Sequence, residues 1–201
     1  MEKKLILKSK AHQQLVEDLN ITKVKVKNLT GIKIKVVHAL KEELGSAINI
    51  DPKSGAIRFS SNILFNQGGY KLKESAKKEL RAVLHKYIHT LLNDPKIRQY
   101  IDLITIEGHT NSDGSYLYNL ELSQKRALSV MKFLYSLDFS DETLFKKYLN
   151  ASGRSYAEPV LINGKEDKDA SRRIEIKFRI KNEPAVKELE KFLSREDGSN
   201  E

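Results

Sequence analysis

Residues 104–131, ITIEGHTNSDGSYLYNLELSQKRALSVM, constrain the chain most, because three kinds of backbone follow one another there without spare residues. Leu103, Ile104, Thr105 and Ile106 are apolar or β-branched, as a short strand requires, and Gly108 ends it. Residues 109–115 gather Thr, Asn, Ser, Asp and Gly, which bend the backbone and carry short polar side chains. A helix follows, with Leu120, Ala127, Met131 and Leu134 on one stripe. A strand that feeds a helix through so short a loop lays that helix back on its own sheet.

The helix carries a second stripe of a different chemistry. At 100° per residue, Asn119 and Arg126 lie about 20° apart, with Leu122 roughly 60° away and the apolar stripe about 100° round. Both polar residues therefore flank the buried face, and Asn119 sits near the helix start beside the polar loop. The first turn of a helix offers unpaired N–H groups and a partial positive charge, and Arg126 adds a two-pronged donor two turns on. Together they suit a carboxylate. The competing reading is that Asn119 only supports the loop and Arg126 pairs with a surface acid.

A resemblance bears on that choice. Residues 108–115, GHTNSDGS, followed by Tyr118, Asn119, Leu122, Ser123, Arg126 and Ala127, resemble the OmpA C-terminal-like peptidoglycan-binding family, with its GHT-D-x-x-G loop and YN-x-x-LS-x-x-RA helix. Residues 171–176, SRRIEI, are similar to that family's closing NRR-(V/I)-E-(V/I) strand, and residues 65–72, FNQGGYKL, to its F-x-x-G-x-x-x-L entry segment. The resemblance implies that the loop and helix clasp the diaminopimelate residue of a peptide stem. Thr110, Asn111, Tyr118 and Asn119 would hold the stem, Leu122 would touch its aliphatic part, and Arg126 would take a carboxylate. Arg173 would order the loop from the neighbouring strand. The chain departs from the pattern twice. Asn111 stands where the family has Asp, and an amide cannot neutralise the ligand's ammonium. Asp113 substitutes only if the loop turns it inward. Ser171 replaces the first Asn of the closing strand.

Charge and composition narrow the alternatives. The net charge is +9, but basic residues are scattered among acids, with no arginine-rich arm or aromatic-interleaved stripe, so a basic nucleic-acid-binding module rests on charge alone. With no cysteine, disulfide frameworks, cysteine-ligated metals and thiol catalysis are excluded. His85 and His89 have ligand spacing but lack a third ligand and read as a solvated face. Glu107, His109 and Asp113 make an acid/base pair imaginable, yet no serine sits in a nucleophile elbow, and neither catalysis nor a cofactor is expected.

Along the rest of the chain, residues 1–45 form a helical linker. Alternation at 23–27 and 32–36 permits strands, but helical spacing of Ile32, Val36, Val37, Leu40 and Leu44 explains more positions over 31–44, with Gly45 as the stop. An earlier helix through Leu15 and Leu19 is a further expectation. Residues 46–182 form the domain proper. It opens with a hairpin of 48–51 and 56–60 around Pro52–Gly55 and continues with a helix over 73–92 and a strand over 101–107. A short helix follows from Asp141, then a charged, mobile stretch over 163–170 and a strand over 173–180. Residues 183–201 are read as a helix opened by Pro184 and a disordered tail. The pattern is α+β: a mixed sheet with helices packed on one face, OmpA-like if the resemblance holds, preceded by a helical linker.

The charged helical lead-in is similar to the MotB-like branch of that family, the stator B-subunits of flagellar or Zorya type. That resemblance implies anchoring of a membrane machine to the cell wall, a homodimer, a membrane-embedded motor partner subunit and a periplasmic location. No stretch of the sequence reaches the ~20 apolar residues of a membrane span, so the tether is expected from an N-terminal segment outside this chain. An OmpA-like domain that has lost its ligand and serves as a protein-interaction scaffold is the remaining alternative.

Overall fold

The computed structural model describes residues 2–45, 48–137 and 142–181. The helix expected from Pro184, the tail beyond it and the helix start at Asp141 lie outside them. The helices are α1 (Glu2–Leu44), α2 (Ser61–Leu64), α3 (Glu74–Leu92), α4 (Pro95–Arg98), α5 (Tyr116–Tyr135), α6 (Glu142–Tyr148) and α7 (Lys168–Ser171). The strands are β1 (Ile57–Ser60), β2 (Ile101–Gly108), β3 (Leu149–Gly153), β4 (Leu161–Ile162), β5 (Lys165–Glu166) and β6 (Arg173–Ile180). No helix among the described residues is long and apolar enough to cross a membrane.

Helix wins over strand at the N-terminus. Residues 23–36 lie within α1, because the strand pattern there has no partner strand to satisfy its backbone groups. One compact unit covers Lys35–Ile180. In it, the last turns of α1 bury Val36, Val37, Leu40 and Leu44 in the common core, and Gly45 N–H closes the helix on Lys41 O at 2.9 Å. In the stretch 2–34, Ile6, Leu15, Val16, Leu19, Ile21 and Ile34 are exposed.

The four-stranded sheet runs β1-β6-β2-β3, with β2 and β3 parallel and the other pairs antiparallel. The expected 48–60 hairpin reduces to one bridge between Ile50 and Ile57, with Gly55 N–H on Asp51 O at 2.8 Å. The Asp51 carboxylate spends itself on the turn, accepting from Ser54 N at 2.7 Å and Lys53 N at 3.0 Å, and β1 pairs with β6 instead. Residues 163–170 hold the turn and second strand of the β4–β5 hairpin and most of α7, rather than the mobile stretch the charge pattern suggests.

Alternation gives the sheet two unlike faces. Ile57, Ile104, Ile106, Ile174, Ile176 and Phe178 point into the core, where α3 and α5 cover them. The Tyr87 hydroxyl of α3 donates to Gly55 O at 2.9 Å, so the buried ring carries no orphaned polar atom. Along α5 the buried residues are Asn119, Ser123, Arg126, Ala127, Val130, Phe133 and Leu134, while Leu120 and Met131 are only half-buried. The rotation follows from two glycines at the strand ends. A Cβ on Gly108 would stand 2.1 Å from Ser123 O, and one on Gly153 would stand 2.6 Å from Gln124 N. The helix backbone therefore rests on the sheet at Ser123.

The opposite face is a row of ion pairs. Lys177 meets Glu107 at 2.7 Å, Arg58 meets Glu175 at 3.2 Å, Arg173 meets Glu175 at 3.1 Å, and Arg179 meets Asp102 at 2.6 Å.

Candidate ligand-binding site

The loop 109–115 is pinned at its base by the strands it joins. His109 N–H donates to Arg173 O at 2.9 Å and Thr110 N–H to Ser155 O at 2.8 Å, so the loop leaves the end of β2 in a fixed direction. At its far end Ser115 caps α5, accepting from Tyr118 N at 3.4 Å. Asn119 closes the loop from within: its buried amide donates to Asp113 O at 2.7 Å and Ser115 O at 3.2 Å. The two N–H bonds of that amide are thus committed to the loop. The hairpin side adds an outer clasp, since Ser112 donates through N–H and hydroxyl to the Glu166 carboxylate at 3.1 and 2.5 Å.

Between this loop, the N-terminal half of α5 and residues 62–73 lies a pocket of about 640 Å³. Of the residues the sequence singled out, Thr110, Asn111, Tyr118, Asn119, Leu122 and Arg126 line it. Arg173 does not. It is the first residue of β6, in register with Ser60, and alternation puts it on the ion-pair face, where it bonds Glu175 and donates to Glu158 O at 3.1 Å. The arginine that reaches the pocket is its neighbour Arg172. Residue 172 shares the parity of Ile174, which faces the helices, so the signal was available in the strand period. Phe65, Asn66, Gln67, Gly68 and Lys73 form the remaining wall, a contribution that residues 65–72 only hinted at.

Arg126 dominates the chemistry. It is 5% exposed, its Nε donates to Gly69 O at 2.8 Å, and its guanidinium carbon lies 5.3 Å from the Phe65 ring centre. Among the described residues it has no acidic partner and its terminal nitrogens have no acceptor. Burial lowers its pKa, and the nearby Arg172 charge acts in the same sense. An unneutralised cation in a partly desolvated wall is a strong attractor for an anion. The buried Thr110 hydroxyl also lacks a partner and lines the same space. Two further cations border it: Arg172, paired with Asp169, and Lys73, which donates to Asn62 O at 2.7 Å.

Among the described residues that line the pocket, one carries a carboxylate. Asp113 lines the pocket, its Oδ2 accepting from Asn111 Nδ2 at 2.7 Å and its Oδ1 contacting Lys168 Nζ at 2.5 Å. The Lys168 ammonium holds the Asp113 carboxyl below its ordinary range.

On the sheet's other face, Glu107, His109 and Glu158 offer ligand atoms within 4.8 Å of one another. Side-chain cations already meet those charges, however, with Lys177 on Glu107 and Arg154 on Glu158. Burial alone would raise the Glu107 pKa; the contacts from His109 and Lys177 outweigh it and bring the carboxyl down to about 2.

Three comparisons with known proteins bear on this arrangement. The OmpA family profile matches residues 64–173, more than half of the chain and nearly the whole pocket. The Zorya protein ZorB of Escherichia coli is 29% identical over 180 residues, covering 79% of this chain and 75% of that protein. Among solved structures, the periplasmic domain of Helicobacter pylori MotB superposes with a TM-score of 0.51 at 22% identity, covering 74% of this chain and 88% of that one. The cell wall anchor of the T6SS from Pseudomonas aeruginosa gives a TM-score of 0.50 at 19% identity, covering 74% and 99%. At those identities the two structures speak for the fold, a mixed sheet with helices on one face.

Proposed function

The chain belongs to the OmpA family, and on that footing we propose that its pocket binds the peptide stem of peptidoglycan without reacting with it. The observation that carries this reading is Arg126: a buried guanidinium with no acid of its own among the described residues, opening on a pocket that two more cations border. A stem carboxylate supplies the missing counter-ion through a charge-assisted, two-pronged contact. The Thr110 hydroxyl adds a hydrogen-bonding group, and Leu122 gives the aliphatic part of a diaminopimelate residue an apolar surface. Asn119 acts through the loop it holds.

Binding of this kind serves anchoring. The reading places the chain in the periplasm as the wall-gripping part of a membrane machine such as an ion-driven stator, working with a membrane-embedded partner subunit. Its relatives, a Zorya protein, a MotB periplasmic domain and a cell wall anchor, support that direction. A homodimer fits the exposed Leu15, Val16 and Leu19 on α1, an apolar strip that a second copy would cover.

The test is sedimentation with purified diaminopimelate-type sacculi, wild type beside Arg126→Ala. Co-sedimentation that the substitution abolishes, with the thermal melt unchanged, is the expected result. Equal co-sedimentation of both proteins overturns the role of the pocket. Absence of binding by the wild type overturns the reading and favours the scaffold alternative.

A further inference from the structure

Among the described residues lining the pocket, Asp113 carries the one carboxylate, and the chain's own ammonium occupies it. Asp113 sits on the loop opposite the cationic wall, and both of its oxygens are engaged, Oδ2 by Asn111 and Oδ1 by Lys168. Lys168 is the first residue of α7, and Asp167 caps that helix through the N–H groups of Asp169 and Ala170. Two residues upstream, Glu166 grips Ser112 of the same loop, so the hairpin and α7 hold the lysine against Asp113. Asn111 makes this arrangement possible. A second carboxylate at position 111 would stand 2.7 Å from that of Asp113 with no proton between them, whereas the amide donates.

We propose, building on the peptide-stem reading, that Asp113 is the acceptor for a ligand ammonium and that Lys168 is an internal ammonium holding that place, so that an ammonium-bearing ligand binds by exchange with Lys168. The chemistry of the swap is balanced: one primary ammonium leaves the carboxylate for water and another takes its position. The lysine side chain is 53% exposed and the aspartate 60% exposed. An ion pair so open to solvent is weak, so a ligand that also gains the Arg126 contact displaces it. The family's acidic position is thereby moved two residues along the loop, and the lysine sets how strongly a free ammonium is preferred over a blocked one.

The experiment is titration calorimetry with two probes: a peptide stem ending in diaminopimelate, and the same peptide with the side-chain amine acetylated. Wild type, Asp113→Asn, Lys168→Gln and Arg126→Ala are compared, with thermal melts to confirm that each is folded. Asp113→Asn is expected to weaken the free-amine peptide about tenfold and to leave the two peptides nearly equal. Lys168→Gln is expected to tighten the free-amine peptide up to about fivefold while leaving the acetylated one unchanged. An Asp113→Asn protein that keeps the wild-type preference, or a Lys168→Gln protein weakened equally for both, overturns the exchange. If Arg126→Ala loses binding in that case, the peptide-stem reading survives without it. Failure of wild type and Lys168→Gln alike to bind either peptide overturns both.

Discussion

Two arginines in this fold are almost equally buried and do opposite things. Arg173 is 6% exposed and Arg126 is 5% exposed. On the outer face of the sheet, Arg173 bonds the Glu175 carboxylate through Nε and Nη2, both at 3.1 Å, and its Nη1 reaches a backbone carbonyl. On the helix side, Arg126 is given one backbone carbonyl and an aromatic ring. The first charge is balanced within the chain and serves the fold. The second has no acid beside it among the described residues, and the proposed ligand would supply one. Burial alone does not distinguish them; the acid beside one and missing from the other does.

That contrast is breakable, and the variants are ordered here by their expected effect on stability. Arg173→Met leaves Glu175 with the half-exposed Arg58 and, at 3.8 Å, the His109 ring, and is expected to cost about 3–5 kcal/mol in chemical denaturation. A loss under 1 kcal/mol would mean that the outer row is not structural. Next comes acid. Glu107 is lowered to about 2 in the folded protein, so its contribution is complete above the ordinary glutamate range and fades as pH falls toward 2. The shift corresponds to ~3 kcal/mol, read as a drop in stability between roughly pH 5 and pH 2 that Glu107→Gln flattens.

Asn119→Ala removes two hydrogen bonds and strands two loop carbonyls. It is expected to cost about 1–3 kcal/mol and to weaken sacculus binding through the loop. The smallest change in stability is the sharpest test. Arg126→Met removes a desolvated charge that has no acid, keeps much of the side chain's apolar bulk against Phe65, and is expected to shift stability by less than about 1 kcal/mol while binding disappears. A large destabilisation there would make Arg126 a second Arg173 and collapse the comparison.

Particular residues show how far the sequence carries. Counting 100° steps brought Asn119 and Arg126 to the edge of the buried face, and both are buried. The same counting placed Leu120 and Met131 at the centre of the stripe, yet Val130 and Phe133 occupy it, because Gly108 and Gly153 seat the helix on Ser123. No helical period contains that information, since it depends on where two strand ends stop. Arg173 was the arginine the sequence singled out, yet it opens β6 on the ion-pair face, and its neighbour Arg172 lines the pocket. Alternation at 23–27 and 32–36 permitted strands, helical spacing favoured helix over 31–44, and α1 runs through both stretches.

The sequence by itself determined the order of elements around the loop, the amphipathic face of α3, and the position of Asn119 and Arg126 at the buried edge of α5. Those are local properties, set by the spacing of side chains on a regular backbone. Tertiary structure alone decided which cations have an acid beside them and that Lys168 stands on Asp113 from 55 residues away. Charge balance is a sum over neighbours in space, and a chain read in order does not list its neighbours.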